Sequence, residues 1–206
     1  MTHRAFILSR PEDYQLALIS QSHLKKRGWL AQIMIDPTEW KEPPPGTIHR
    51  RYGTQGRGMF GLKCAFEIMA GIVNCSMPGD IVAKFDCDIA ITEEASDWLK
   101  WANQARCFSL GGRVWGGCWS APWNQAEDAA FDKLVLFDEC SCPESALALK
   151  ALDSHDNRLL TVPSMIAEKW QPGREWRHNA AAVTLPTRCS GLSRLECGDQ
   201  LFRHLA

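Results

Sequence analysis

Residues 5–35 constrain the fold most. Ala5 to Leu8 is a short apolar strand, Tyr14, Ala17, Leu18 and Leu24 make a helical stripe, and Leu30 to Ile35 forms a second strand. A strand, helix and strand in close succession favour a right-handed parallel unit, which commits the chain to an α/β architecture. Ser9 and Glu12 have the spacing of a capping box, and Lys25-Lys26-Arg27-Gly28 supplies the basic last turn and glycine stop of the helix.

A third apolar run, Ile81-Val82-Ala83, leads into Lys84-Phe85-Asp86-Cys87-Asp88. On an extended chain Asp86 and Asp88 project to one side and Cys87 to the other. Two carboxylates converging on one small volume repel each other unless a cation or a hydrogen-bond cluster lies between them, so a hard divalent metal such as Mn or Mg is a natural occupant. The alternative is a strand end that faces water or caps the next helix. Ligands of open α/β sheets gather outside the carboxyl ends of such strands, which favours the binding reading.

The chain has 206 residues, 45% hydrophobic and 23% charged, with a formal net charge of -1, as suits one compact domain. That balance excludes a nucleic-acid binder working through a broad basic surface. Nine cysteines, an odd count without a C-x-x-C pair or a secretory leader, read as reduced thiols of the cytoplasm. No apolar run is long enough to span a bilayer.

From Asp36 to Gly58 no regular period is visible, and Arg50, Arg51 and Arg57 stand among glycines and prolines. Such a loop either closes over phosphates or is a solvated surface loop. A helix follows with Leu62, Ala65, Phe66, Met69, Ile72 and Val73 on one face and Lys63 and Glu67 on the other. Thr92 caps a helix expected to end near Arg106, and Phe108 to Leu110 is a short strand. Gly111 to Ser120 holds Trp115, Gly116, Gly117 and Trp119, either a hydrophobic platform for a ligand such as a sugar or ordinary packing. Ser120-Ala121-Pro122 opens a helix through about Leu136, and Ser141-Cys142-Pro143-Glu144 opens another by the capping-box pattern. Arg158 to Val162 and Ala180 to Leu185 are the last expected strands.

In this order, "FILSRPEDYQLAL", the DxD strand "DIVAKFDCDIAI", "GGRVWGGCWSA" and "CPESALALKAL" resemble the nucleotide-sugar-dependent glycosyltransferases of the GT-A fold. The resemblance implies a single Rossmann-like α/β domain over residues 1–206, with a mostly parallel central sheet flanked by helices. Residues 5–110 would form the donor half and 111–206 the acceptor half. It implies transfer of a sugar from a nucleoside diphosphate sugar, a UDP-sugar by preference, to a glycan or other hydroxyl acceptor. Asp86 and Asp88 would hold Mn or Mg, with His178 completing the shell. Arg10, Asp36, Arg57, Lys63 and Asp86 would contact the donor, and Trp115, Gly116, Gly117 and Trp119 the acceptor. Glu144 would act as general base on the acceptor hydroxyl, unless it only completes its capping box. No histidine follows "AAAVTLP", where Thr184 or Thr187 stands. Two other readings remain: a phosphohydrolase using the Asp-x-Asp, or a degenerate domain that binds a nucleotide sugar without turnover.

Overall fold

Strand β1 (His3–Ser9) is buried continuously from Ala5 to Ser9, as a parallel strand covered on both faces must be. It pairs in parallel with β2 (Leu30–Ile35), whose limits match the sequence expectation, and with β4 (Ile81–Asp86). The structure, a computed structural model, describes residues 1–52, 62–101, 103–110, 113–131, 166–169, 180–185 and 192–205.

The capping box expected at Ser9 does not form. Ser9 is still held in the ladder opposite Ile35, and its hydroxyl donates to the Arg10 carbonyl. The chain makes a 3-10 turn over Pro11–Asp13 before α1 (Tyr14–Lys26) begins without a side-chain cap. The buried stripe of α1 is Leu16, Ala17, Ser20, His23 and Leu24, while Leu18, expected inside, is 37% exposed. The helix does stop at the expected glycine. Gly28 has φ 77°, its N–H donates to Lys25, and the Trp29 N–H donates to Leu24. This Schellman closure also buries Trp29 and Leu24, the two side chains that flank it.

The stretch expected to be an irregular loop contains a second 3-10 turn, Pro37–Glu39, and a short strand, β3 (Ile48–His49), parallel to β2. Arg50 follows β3, and its guanidinium pairs with Glu67 of α2 (Leu62–Asn74) at 2.8 Å. The core face of α2 runs through Ala65, Ile68, Met69, Ile72 and Val73.

After β4 come β5 (Ile89–Ile91) and α3 (Glu93–Leu99), capped by Thr92 as expected. This helix ends at Leu99 rather than near Arg106, because Arg106 starts β6 (Arg106–Leu110), with its guanidinium over the rings of Trp98 and Trp101. Strand β7 (Arg113–Pro122) is antiparallel to both β6 and β4. Ser120, Ala121 and Pro122 therefore finish a strand instead of opening a helix, and α4 (Trp123–Phe131) starts one residue later. Strands β8 (Ile166–Lys169) and β9 (Ala180–Thr184) and helix α5 (Arg194–His204) complete the described elements. The expected helix at 141–152 and strand at 158–162 lie outside the described residues.

Among the described residues one nine-stranded sheet runs in the order β3-β2-β1-β4-β7-β6-β8-β9-β5, with most neighbours parallel. Strands β4 and β5 are separated by Cys87 and Asp88 alone, yet β5 pairs with β9 at the far end of that order. A two-residue link reaches only about 10 Å, so the sheet must curl until β9 returns beside the end of β4. The Leu185 N–H donating to the Asp88 carbonyl at 3.1 Å closes this junction. Among the described residues, no helix is long and apolar enough to cross a membrane.

Candidate functional site

The parallel register aligns three strand ends. Leu8 faces Asp86 across one ladder and Ser9 faces Ile35 across the other, so Arg10, Asp36 and Asp86 follow one another along a single edge. On the other flank of β4, Phe85 faces Cys118 of β7, and continuing that register sets Gly117 beside Asp86. Between Cys107 and Phe108 of β6 the opposing residue jumps from Trp119 to Trp115. Gly116 and Gly117 thus lie in a bulge of β7 rather than in a turn, a position where glycine relieves crowding.

Asp86 ends β4, but Asp88 lies in the turn beyond it, so strand alternation does not bring the two together. The turn does. Asp88 is pushed up to about 6, first by burial and then by the charge of Asp86, against the pull of Arg194. Each carboxylate already has a cationic neighbour: Lys84 Nζ lies 2.8 Å from Asp86 Oδ1, and Arg194 Nη2 donates to Asp88 Oδ2 at 2.6 Å. Arg194 Nε also donates to Asp13 Oδ1 at 3.0 Å, which ties α5 to the β1–α1 connection. Cys87 is buried between these groups, and burial with the adjacent carboxylates pushes its thiol up.

Two further expected positions are structural as placed. Asp36 is 1% exposed, and its oxygens accept from the Thr38 N–H, the Thr38 hydroxyl and the Tyr52 N–H, so it anchors the segment after β2. Trp119 is 1% exposed and belongs to the core. Arg10 is half-buried beside Glu39, whose carboxyl is raised by burial despite the Arg10 charge. Lys63 sits in the first turn of α2, and Trp115 and Gly116 lie on β7. Arg57, Glu144 and His178 lie outside the described residues. Thr184 lies at the end of β9, and its hydroxyl donates to the Leu185 carbonyl at 3.4 Å rather than turning toward Asp88.

Asp13, Lys84 and Arg194 were missing from the sequence reading. Lys84 had a visible signal, a charge inside an apolar strand two residues before Asp86 and hence on the same face. Ser193-Arg194-Leu195-Glu196 carries its own capping-box pattern, which forms here: the Glu196 N–H donates to Ser193 Oγ and the Ser193 N–H to Glu196 Oε2.

Among the described residues no group of three or more His, Cys, Asp or Glu side chains gathers in metal-binding range. Asp86 and Asp88 nevertheless suit a hard cation that takes its other ligands from a substrate, since phosphate-bound Mg²⁺ is commonly held by one or two carboxylates.

No family model matches the sequence, and no curated protein matches it significantly. Among solved structures, the chain is similar to a glycosyltransferase involved in the glycosylation of the major capsid of PBCV-1, at TM-score 0.52 and 10% identity over 98% of this chain and 99% of that one. It is also similar to the glycosyltransferase GlyE of Streptococcus pneumoniae TIGR4, at TM-score 0.50 and 10% identity over 99% of this chain, which spans 64% of that protein's length. Likeness at such identity speaks for the backbone: the chain has the GT-A fold of these glycosyltransferases.

Proposed function

We propose that this protein transfers a sugar from a nucleoside diphosphate sugar to an acceptor hydroxyl, with Asp86 and Asp88 holding a divalent cation. The observation that carries the reading is the pair of carboxylates two residues apart at the carboxyl end of a central parallel strand, in a fold shared with two glycosyltransferases. A bound Mn or Mg ion would act as a Lewis acid, offsetting the charge that grows on the departing diphosphate. In the transfer, the acceptor oxygen bonds to the anomeric carbon as the bond to the diphosphate breaks. We assign the acceptor's proton to Glu144, with His178 as a further metal ligand and Arg57 and Lys63 as phosphate partners. Arg10, two positions beyond the register partner of Asp86, would contact the donor, and Trp115, Gly116 and Gly117 near the bulge would meet the acceptor. A UDP-sugar donor, a glycan acceptor and a cytoplasmic setting complete the proposal, and the described cysteines carry no disulfide.

The ion pairs at Lys84 and Arg194 favour a second reading, a domain that binds a nucleotide sugar without turnover, because both aspartates already have counter-charges. Thermal melting against UDP, GDP and CDP, with and without Mn²⁺, tests the first. A ligand that binds only the native state raises stability by mass action, so a nucleotide-selective, Mn²⁺-dependent rise of several degrees is expected, absent in Asp88→Ala. No shift with any nucleotide in folded protein overturns the donor site. A shift without release of free sugar or product from a UDP-sugar supports the second reading instead.

A further inference from the structure

Two cations neutralise the aspartate pair, and they differ in mobility. The Lys84 side chain is 4% exposed and held inside the sheet, whereas that of Arg194 is 38% exposed and springs from the first residue of α5. Lys84 has no route to water. Arg194 does, and it would keep one partner on leaving the other, since Asp13 holds its Nε while Asp88 holds its Nη2.

We propose that Arg194 is an internal counter-ion of Asp88, displaced when a divalent cation enters, so that metal binding at the aspartate turn releases the start of the C-terminal helix. This rests on the reading of Asp86 and Asp88 as metal ligands. A doubly charged ion and a guanidinium brought to one carboxylate repel each other strongly in a partly buried setting. Asp88 Oδ2 is occupied by Arg194 at 2.6 Å, so the ion must either exclude the arginine or bind against its charge. Once Arg194 leaves Asp88, the capping box at Ser193 and Glu196 and the Asp13 contact are left to hold the start of α5. By reciprocity, whatever holds Arg194 on Asp88 weakens the metal, and the metal weakens that hold.

The test is a titration with Mn²⁺ alone, read from the electron paramagnetic resonance signal of the free ion, on wild type, Asp88→Ala and Arg194→Met. Binding lost in Asp88→Ala and about tenfold tighter in Arg194→Met is expected, as removing a nearby positive charge from a cation site should produce. A purely structural arginine would lower the melting temperature of Arg194→Met and leave Mn²⁺ affinity unchanged. Equal or weaker binding by folded Arg194→Met overturns the inference and leaves the metal reading standing. Absence of Mn²⁺ binding in both wild type and Arg194→Met overturns the metal reading, and the inference with it. Should Arg194→Met not fold, hydrogen exchange on wild type decides: amides of 194–198 should exchange faster with Mn²⁺, and slower exchange overturns the proposal.

Discussion

Lys84 and Asp86 share one face of β4, with side chains 4% and 31% exposed, so the carboxylate can be solvated and the ammonium cannot. Removing one partner of such a pair costs more when the deeper charge is left behind. In metal-free protein, Asp86→Asn should therefore destabilise by about 2 kcal/mol and Lys84→Met by less, with the double variant milder than the sum. Urea denaturation of the cycle measures this, and strictly additive effects would mean that the pair contributes no coupling. Asp36 differs at the same scale: an aspartate at a strand end invites a ligand-binding assignment, and this one also accepts from three donors of Thr38 and Tyr52, which fix the segment after β2.

At the scale of elements, one local pattern had two outcomes. Ser9 and Glu12 have the same spacing as Ser193 and Glu196, yet only the second pair caps a helix. Ser9 belongs to a central strand whose ladder extends to it, and Pro11 then forces a tight turn, whereas Ser193 stands in open chain before α5. Ser193→Ala should cost about 1 kcal/mol by urea denaturation, the usual loss at such a cap. It should also fray the turn that carries Arg194, seen as faster hydrogen exchange at 194–197.

At the scale of the whole molecule, two buried groups oppose each other in pH dependence. His23 packs against Phe202 of α5. Its Nδ1 lies 3.2 Å from the Arg27 guanidinium, and its Nε2 lies 3.1 Å from the Ile91 carbonyl and accepts from the Ile91 N–H at 3.2 Å. Burial, then the Arg27 charge, lowers its pKa to about 3. Below the ordinary value of 6.5 the unfolded chain binds the proton and the native state does not, so this group makes stability fall on acidification toward 3. Asp88 acts oppositely. Its native pKa is pushed up to about 6 from 3.8, so in metal-free protein the native state takes the proton first and stability rises as pH falls through that window. The two slopes, each up to about 1.4 kcal/mol per pH unit, should largely cancel between pH 6 and 4. Urea midpoints should fall with acidification in Asp88→Asn and rise in His23→Gln. Parallel curves for both variants would contradict the assignment.

Local chemistry in the sequence determined the opening strand-helix-strand unit, the Gly28 stop, the Thr92 cap and the identity of the Asp86 strand, because each depends on side-chain period or on neighbours a few residues away. Only the tertiary structure decided that Trp119 is core, that Ser120 to Pro122 finish a strand, and that Arg194 reaches back across 106 residues to Asp88. Those outcomes depend on ladder register and on which distant backbone lies alongside. Strand order has no local signature, and a charge far along the chain leaves no mark on the spacing of the residues it will neutralise.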